Sequence, residues 1–463
     1  MNQLDTIAAV STPYGKGGIA VLRVSGDDAI AISNKVFSPI RKGALSDMPS
    51  AKAVYGNIFE SVRGDKNQID DGIAVVFRAP ASFTGEDTVE ISCHGGVLIT
   101  QKVLSALLSA GARMALPGEF TKRAFINGKM SLTGAEALGD LLEARSDEQI
   151  YLARSGMRGA LSDSIQKIYD PLCDVLASIF AKIDYPDEDL ADIGSKEMLE
   201  IATKCLDELK RLSATYSTGK AVNEGVPTAI IGRTNAGKSS LYNRLVGRDA
   251  AIVTDIEGTT RDVLTETTYL GRVCLLLSDT AGLRNSSDAV EQIGVERARR
   301  QAEGADLILA VFDGSREPDE DDIAFISYVE SIGSVKVAVI NKQDLGQNEE
   351  FVRLTKNFDA TVAISADSGM GFDNLCDTIE KLYIDRSLDT AKDAIISNAR
   401  QHAAIINAID ALGGAISAIK NELPLEICCS ETERCLQSLG EIDGRTVSED
   451  IVSRIFANFC VGK

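Results

Sequence analysis

Histidine is scarce in this 463-residue chain. His94 and His402 are the only two, too few and too far apart in sequence for a zinc-site pattern. The nine cysteines are scattered. None forms a Cys-x-x-Cys pair, and Cys428 and Cys429 are too close to bridge easily. Reduced thiols in a cytoplasmic setting are the expectation. No apolar run approaches the roughly 18 residues of a membrane span. The opening Met-Asn-Gln-Leu-Asp-Thr-Ile lacks a basic stretch followed by an apolar one, so neither membrane association nor a secretory leader is expected. Positive charge is in deficit: Lys and Arg number 48 against 68 Asp and Glu, a net charge of −20. That excludes a protein held on nucleic acid by its overall field. RNA contact would have to come from a local patch or a partner.

What is present is an ordinary globular composition, 44% hydrophobic and 25% charged, in a chain long enough for two to four domains. Residues 1–125 alternate short β-like runs, such as Gly18–Val24 and Gly72–Phe77, with Gly, Pro and Asp turns. From Leu132 to about Tyr185 apolar residues recur at helical spacing, including Leu138, Leu141, Leu172, Val175, Leu176 and Ile179. Pro186 and the acidic Asp187-Glu188-Asp189 stop that pattern. A second helical stretch carries Met198, Leu199, Leu206, Leu209 and Leu212, and Ser217–Gly225 reads as a polar linker. Pro227 then opens a strand, and buried-strand runs at Val273–Leu277, Leu307–Phe312 and Val335–Ile340 alternate with helix-length segments. That pattern predicts a doubly wound α/β domain. Helical character returns from Asp385 to Phe459. The expected architecture is multidomain α/β and α+β. It has an N-terminal α+β domain (1–125), a discontinuous helical domain (126–222 and 385–463) and an inserted P-loop domain (223–384).

Five motifs carry the chemistry. Gly232-Arg-Thr-Asn-Ala-Gly-Lys-Ser239 matches G-x-x-x-x-G-K-[ST] between a strand and a helix. Its glycines let backbone N–H groups face phosphate oxygens. Lys238 places charge on the β- and γ-phosphates, Ser239 offers a hydroxyl to Mg²⁺, and the helix from Leu241 adds its positive end. Asn235, Ala236, Gly237 and Ser240 complete this cradle. Asp279-Thr280-Ala281-Gly282 follows a strand, where Asp279 can hold Mg²⁺ through water and the Gly282 N–H can meet the γ-phosphate. Asn341-Lys342-Gln-Asp344 follows another strand. Asp344 can accept from the N1 and N2 donors of guanine, a pair adenine lacks, so GTP is selected over ATP. The backbone N–H of Ser365-Ala366 suits guanine O6. In the loop Thr254-Asp255-Ile256-Glu257-Gly258-Thr259-Thr260, Thr260 can complete the Mg²⁺ shell.

Leu283 stands where Ras-type enzymes carry a water-orienting Gln, so the catalytic machinery must differ. A cation held by Asn235 and the carbonyl-rich loop Thr254–Thr259 can supply the charge an arginine supplies elsewhere. Glu291 reads either as a water-positioning carboxylate or as a solvated switch residue.

These motifs resemble Era-like GTPases with a hydrophobic residue replacing Gln. Over essentially the whole length, the chain resembles the TrmE family of tRNA modification GTPases. The likeness is carried by Gly15–Gly26, Phe83–Asp87, Cys93-His-Gly-Gly96, Pro117–Phe125, Leu439–Arg445 and Arg454–Lys463. The resemblance implies an N-terminal domain that binds folate and dimerises the protein into a homodimer. It also implies an inserted G domain and a flavin-dependent partner of the MnmG type. The reaction implied is modification of the wobble uridine C5 of tRNA, with 5-formyltetrahydrofolate or a related folate as one-carbon donor. By the same resemblance, K⁺ ligands fall on Asn235, Thr254, Ile256 and Thr259, and the catalytic carboxylate falls on Glu291. Folate contacts fall on Arg23, Glu90, Lys129 and Lys463, and a functional thiol on Cys460. Read alone, Lys129 is a surface lysine and Cys460 a packed or exposed thiol. Three departures stand out: Thr234 for a usual Pro, Val461 for Ile or Leu, and Asp367 for Lys. The rival reading is an Era-like ribosome-assembly GTPase, disfavoured by the lack of a basic extension.

Overall fold

The computed structural model describes residues 5–41, 43–62, 65–184, 194–248, 266–277, 302, 304–346, 349–457, 459 and 461–462. The chain divides into two compact units. One comprises Met1–Ala144, Ala153–Ile193 and Ser417–Lys463, the other Arg145–Leu152 and Gly194–Ile416.

The first unit holds a seven-stranded sheet. In spatial order its strands are Phe37–Pro39, Lys52–Val62, Asp65–Phe77, Thr88–His94, Ile19–Ser25, Ile7–Val10 and Arg113–Met114. The last pair is parallel and the others antiparallel. Period-2 alternation along Ile19–Ser25 turns Ala20, Leu22 and Val24 into the main core, with Ile30, Val103 and Leu107 of two helices. The same alternation sends Arg23 to the opposite face. Ile7 and Ala9 on the neighbouring strand pack there with Phe120 and Ala115 in a smaller core. Helices Glu119–Ile126, Leu132–Glu143, Ala160–Asp184, Leu425–Asp443 and Glu449–Ala457 complete this unit.

The second unit is built on a six-stranded sheet: Ala360–Ala363, Val335–Asn341, Leu307–Asp313, Val226–Gly232, Val273–Leu277 and Glu266–Leu270. Only the last pair is antiparallel. Near-continuous apolar strands such as Leu307–Asp313 are buried on both faces, one against each of two cores. Strand order reverses at Val226–Gly232, whose neighbours are Leu307–Asp313 and Val273–Leu277. Doubly wound sheets bind ligands at such a switch point.

Two sequence expectations need correction. Ser217–Gly225 is not a linker: Tyr216–Asn223 is a helix with Thr218, Gly219, Ala221 and Val222 buried. Its inward face is small rather than strongly apolar. A Cβ on Gly219 would lie 2.0 Å from the Ile396 carbonyl oxygen, so close packing demands the residue that looked like a breaker. Residues 385–398 are turns, and the helix starts only at Ala399. Asp385 accepts from the backbone N–H and hydroxyl of Ser387, and Asp389 from the Ala391 N–H. Such local bonds compete with helix formation. By length and composition, the helix Ala399–Lys420 is apolar enough to cross a membrane. Its Ala404, Ile405, Ala408, Ala411, Leu412 and Ala415 are instead buried within the protein, as in a core helix.

Candidate nucleotide and N-terminal sites

The phosphate loop leaves Val226–Gly232 and enters the helix Lys238–Arg248. Gly232 passes so near the adjacent strand that a Cβ would sit 2.4 Å from the Val311 carbonyl oxygen. Asn235 adopts the left-handed conformation, φ +63°, tolerable for its short polar side chain, and is exposed. Gly237 is also left-handed at φ +95°, and its missing side chain leaves room for the amide of Asn341.

That amide joins three motifs. Asn341 is buried. Its Nδ2 donates to the Ala236 carbonyl at 3.0 Å, and its Oδ1 accepts from the Ala366 N–H at 2.9 Å. The phosphate loop, the Asn341–Asp344 motif and the Ser365-Ala366 turn are thereby held in one frame. Lys342 is left-handed, and its ammonium lies 2.7 Å from Asp313. Burial opposes ionisation of Asp313, but hydrogen bonds from Lys342 and Ser315 prevail and hold it below the usual carboxylate range. Asp344 beside it is exposed.

Lys238 donates to the Arg233 carbonyl at 2.7 Å, closing the loop on itself, and burial lowers its pKa. Ser239 and Ser240 are partly buried on the first turn of the helix. Arg233 is committed away from the loop centre, to Asp319, Asp321 and Asp322. Thr254, Asp255, Ile256, Glu257, Gly258, Thr259, Thr260, Asp279, Thr280, Ala281, Gly282, Leu283 and Glu291 lie outside the described residues. The strand Val273–Leu277 that precedes Asp279 runs parallel to Val226–Gly232, with Leu277 level with Thr228, so it heads toward the same end of the sheet as the phosphate loop.

Sequence reasoning missed Arg244. This side chain of the phosphate-loop helix donates to the carbonyls of Ala366 and Asp367, the latter at 2.7 Å. It clamps the turn from outside. Gly369 makes room for it, since a Cβ there would lie 2.6 Å from Arg244 Nη1. Both acceptors are main-chain oxygens far away in sequence, so no residue pattern could have announced the contact. They also show Asp367 contributing through its backbone, whatever its side chain.

In the first unit, Arg23 and Glu90 are directly opposed across two strands and form an ion pair at 2.7 Å. The Arg23 guanidinium lies over the rings of Phe83 and Phe120, at 5.2 and 5.6 Å. Lys129 is exposed and donates to the Pro80 carbonyl at 2.9 Å. Cys460 and Lys463 lie outside the described residues. Between them, Val461 pairs with Pro117 in an isolated bridge, and the Gly462 carbonyl accepts from the Ser11 hydroxyl at 3.2 Å. Ser11 follows the strand Ile7–Val10, on which Ala9 opposes Arg23. Residues 461–462 thus lie beside the end of the strand Ile7–Val10, which is the neighbour of the strand that carries Arg23.

Sequence reasoning also missed a buried polar network here. Glu119 accepts from Arg113 at 2.7 Å, from Arg123 at 3.1 Å and from the Leu116 N–H at 2.8 Å. Arg123 also donates to both oxygens of Glu86, which accepts in turn from Ser25. Glu86, Glu119 and Arg123 all fall inside the signatures Phe83–Asp87 and Pro117–Phe125, which were the available signal. His94, Asp70 and Asp71 form the compact group of potential ligands among the described residues. Its geometry is that of an ion pair, with His94 Nδ1 2.7 Å from Asp70, and of a Tyr55–Asp71 hydrogen bond.

Two family models match the chain, "GTP-binding protein TrmE N-terminus" over residues 6–129 and "MnmE helical domain" over residues 132–460. Relatives that carry the name tRNA modification GTPase MnmE match the whole chain. The one from Lactobacillus gasseri is 39% identical over 467 residues, covering 100% of this chain and 99% of the relative. Those from Bacillus licheniformis and Lactococcus lactis are each 40% identical over 463 residues, covering at least 99% of both chains. With both flanks matched by the family's models and the whole length by its members, the chain belongs to the MnmE family of tRNA modification GTPases.

Proposed function

We propose that this protein hydrolyses GTP in a K⁺-stimulated reaction. We further propose that, as a homodimer with a flavin-dependent partner of the MnmG type, it modifies the wobble uridine C5 of tRNA with an aminomethyl-type group. The observation that carries the nucleotide half is the Asn341 amide, which fixes the phosphate loop and the guanine-reading turn in one frame. A cradle built before the nucleotide arrives wastes little binding energy on ordering it.

In this reading Lys238 meets the β- and γ-phosphates, Ser239 and Thr260 hold Mg²⁺, and Asp279 reaches the ion through water. Asp344 and the Ser365-Ala366 backbone read the guanine. Asn235 presents an exposed amide from a left-handed turn, a geometry that suits a K⁺ ligand. The carbonyls of Thr254, Ile256 and Thr259 complete that set. K⁺ supplies positive charge where the transition state develops negative charge, and Glu291 orients the attacking water. GTP turnover is therefore expected to run about tenfold or more faster in K⁺ than in Na⁺ of equal ionic strength. Asn235→Ala should remove that difference, as phosphate-release assays would show.

The one-carbon chemistry is assigned to the first unit. Arg23, Lys129 and Lys463 suit the carboxylates of 5-formyltetrahydrofolate, and Glu90 suits donors on its ring. Cys460 is the candidate thiol for this chemistry. No dinucleotide fingerprint occurs in this chain, so the electrons belong to the partner. The test is the wobble-uridine nucleoside profile of tRNA from cells lacking this protein. Loss of the C5-modified nucleosides is expected, whereas an unchanged profile would sink the modification role and leave GTP hydrolysis standing.

A further inference from the structure

The end of the chain is seated on a loop, Leu116–Gly118, which is itself held from beneath by one buried carboxylate. Gly118 is left-handed at φ +64°, and a Cβ on it would lie 2.4 Å from the Phe456 carbonyl oxygen. Pro117 bridges to Val461. On the other side of the chain end, Gly462 is left-handed at φ +99°, and a Cβ there would lie 2.2 Å from the Val10 carbonyl oxygen. Residues 461–462 therefore run between the loop and the end of the strand Ile7–Val10 with almost no slack.

The loop cannot be placed by its own composition. A proline, a glycine and an exposed leucine provide little to pack, with Leu116 half exposed. Its fixed point is Glu119, 7% exposed, whose Oε2 accepts the Leu116 N–H at 2.8 Å. The same carboxylate is gripped by Arg113 through both oxygens and by Arg123, and Arg123 is anchored in turn to Glu86 and to the Asp5 carbonyl. Arg113 also faces Asp5 at 3.5 Å. A charge-assisted, bidentate contact of this kind fixes orientation as well as distance.

We propose that Glu119 is a positioning residue whose carboxylate sets the Leu116–Gly118 loop as the seat of the chain end, holding Val461 and Gly462 beside Val10 and Ser11. The consequence for ligand rests on the folate reading given above, which assigns roles to Cys460 and Lys463: with the seat released, Val461 and Gly462 between them are no longer held beside Val10 and Ser11.

The test is hydrogen exchange of the C-terminal peptide in the full-length protein, with GTP turnover and 5-formyltetrahydrofolate calorimetry on the same samples. Glu119→Gln keeps the shape and removes the charge. The tail amides are expected to exchange about tenfold faster or more, while the helix Leu425–Asp443 stays protected. Arg113→Gln removes one grip from a half-exposed position and should give about a threefold effect in the same direction, deciding the matter if Glu119→Gln fails to fold. Gly462→Ala attacks the seat from the tail side, and is expected to free the tail about tenfold with the network intact. GTP kcat should stay within about twofold in all three, because the nucleotide machinery lies in the other unit, while folate affinity falls. Unchanged tail exchange in folded Glu119→Gln or Arg113→Gln would overturn the proposal, as would equal loosening of the tail and of Leu425–Asp443. If the unsubstituted protein binds no folate, the folate reading fails, and the exchange data still decide the role of Glu119.

Discussion

Lys238→Ala is expected to weaken GTP binding by about 1000-fold while leaving the fold intact. At an effective dielectric constant near 20, a unit charge pair at 4 Å is worth about 4 kcal/mol, and each 1.4 kcal/mol is a factor of about ten in affinity. The environment of Lys238 favours the full effect. The side chain is half-buried and its ammonium is parked 2.7 Å from the Arg233 carbonyl. Burial has lowered its pKa, so the charge is poorly solvated before the nucleotide arrives. A triphosphate replaces one carbonyl with several anionic oxygens, which stabilise the charge. The neighbouring guanidinium of Arg233 cannot substitute, because three acidic residues hold it. The structural cost is small, since the lost hydrogen bond is a single contact to a loop carbonyl. Titration with a fluorescent GTP analogue, paired with a thermal unfolding curve, checks both halves. Affinity within tenfold of the unsubstituted protein would mean that the phosphates sit elsewhere.

Asp344→Asn is expected to reverse base preference, lowering GTP affinity by about 100-fold or more and favouring xanthosine triphosphate. Two hydrogen bonds to a charged acceptor are worth about 1.5–3 kcal/mol each. An amide keeps one acceptor and turns an N–H₂ toward a guanine donor, so one contact is lost and another becomes repulsive. Xanthine carries an oxygen in place of the exocyclic amine, and that oxygen accepts from the new amide. The position is preset for this exchange. Asp344 is exposed at the rim, and its loop is pinned by the Gln343 N–H on the Ile364 carbonyl at 3.0 Å and by the Lys342–Asp313 pair. The substitution should therefore change the reader and not the frame. Competition by xanthosine, guanosine and adenosine triphosphates measures the ratio directly. Parallel losses for guanosine and xanthosine nucleotides would show a disrupted loop instead.

Much of the nucleotide site was legible because its chemistry is local. Asn235, Gly237 and Lys238 are neighbours in sequence, and the proposed phosphate contacts come from consecutive backbone N–H groups and one lysine on the first turn of a helix. The buried strands were legible for a related reason: apolar runs such as Leu307–Phe312 must be covered on both faces. The helix Tyr216–Asn223 was misread because its buried side is made of Thr, Gly, Ala and Val. Those residues signal packing only once the Ile396 backbone is known to lie against Gly219. The turns at 385–398 were misread because helical spacing can be matched while Asp385 and Asp389 bind the backbone locally.

By itself, the sequence carried the motifs on which the proposed chemistry rests: the phosphate loop, Asp344 as the proposed guanine reader, and a leucine, Leu283, where Ras-type enzymes carry Gln. It also determined which face of Ile19–Ser25 would carry Arg23, since side chains alternate along any strand. Tertiary structure alone decided what holds those groups still. Asn341 reaches Ala236 and Ala366, Arg244 reaches the Asp367 carbonyl, and Glu119 secures the loop that meets Val461. The reason is physical. Most of these supports end on backbone oxygens and N–H groups, which every residue carries, so the partner's identity leaves no mark in the sequence until the chain has folded.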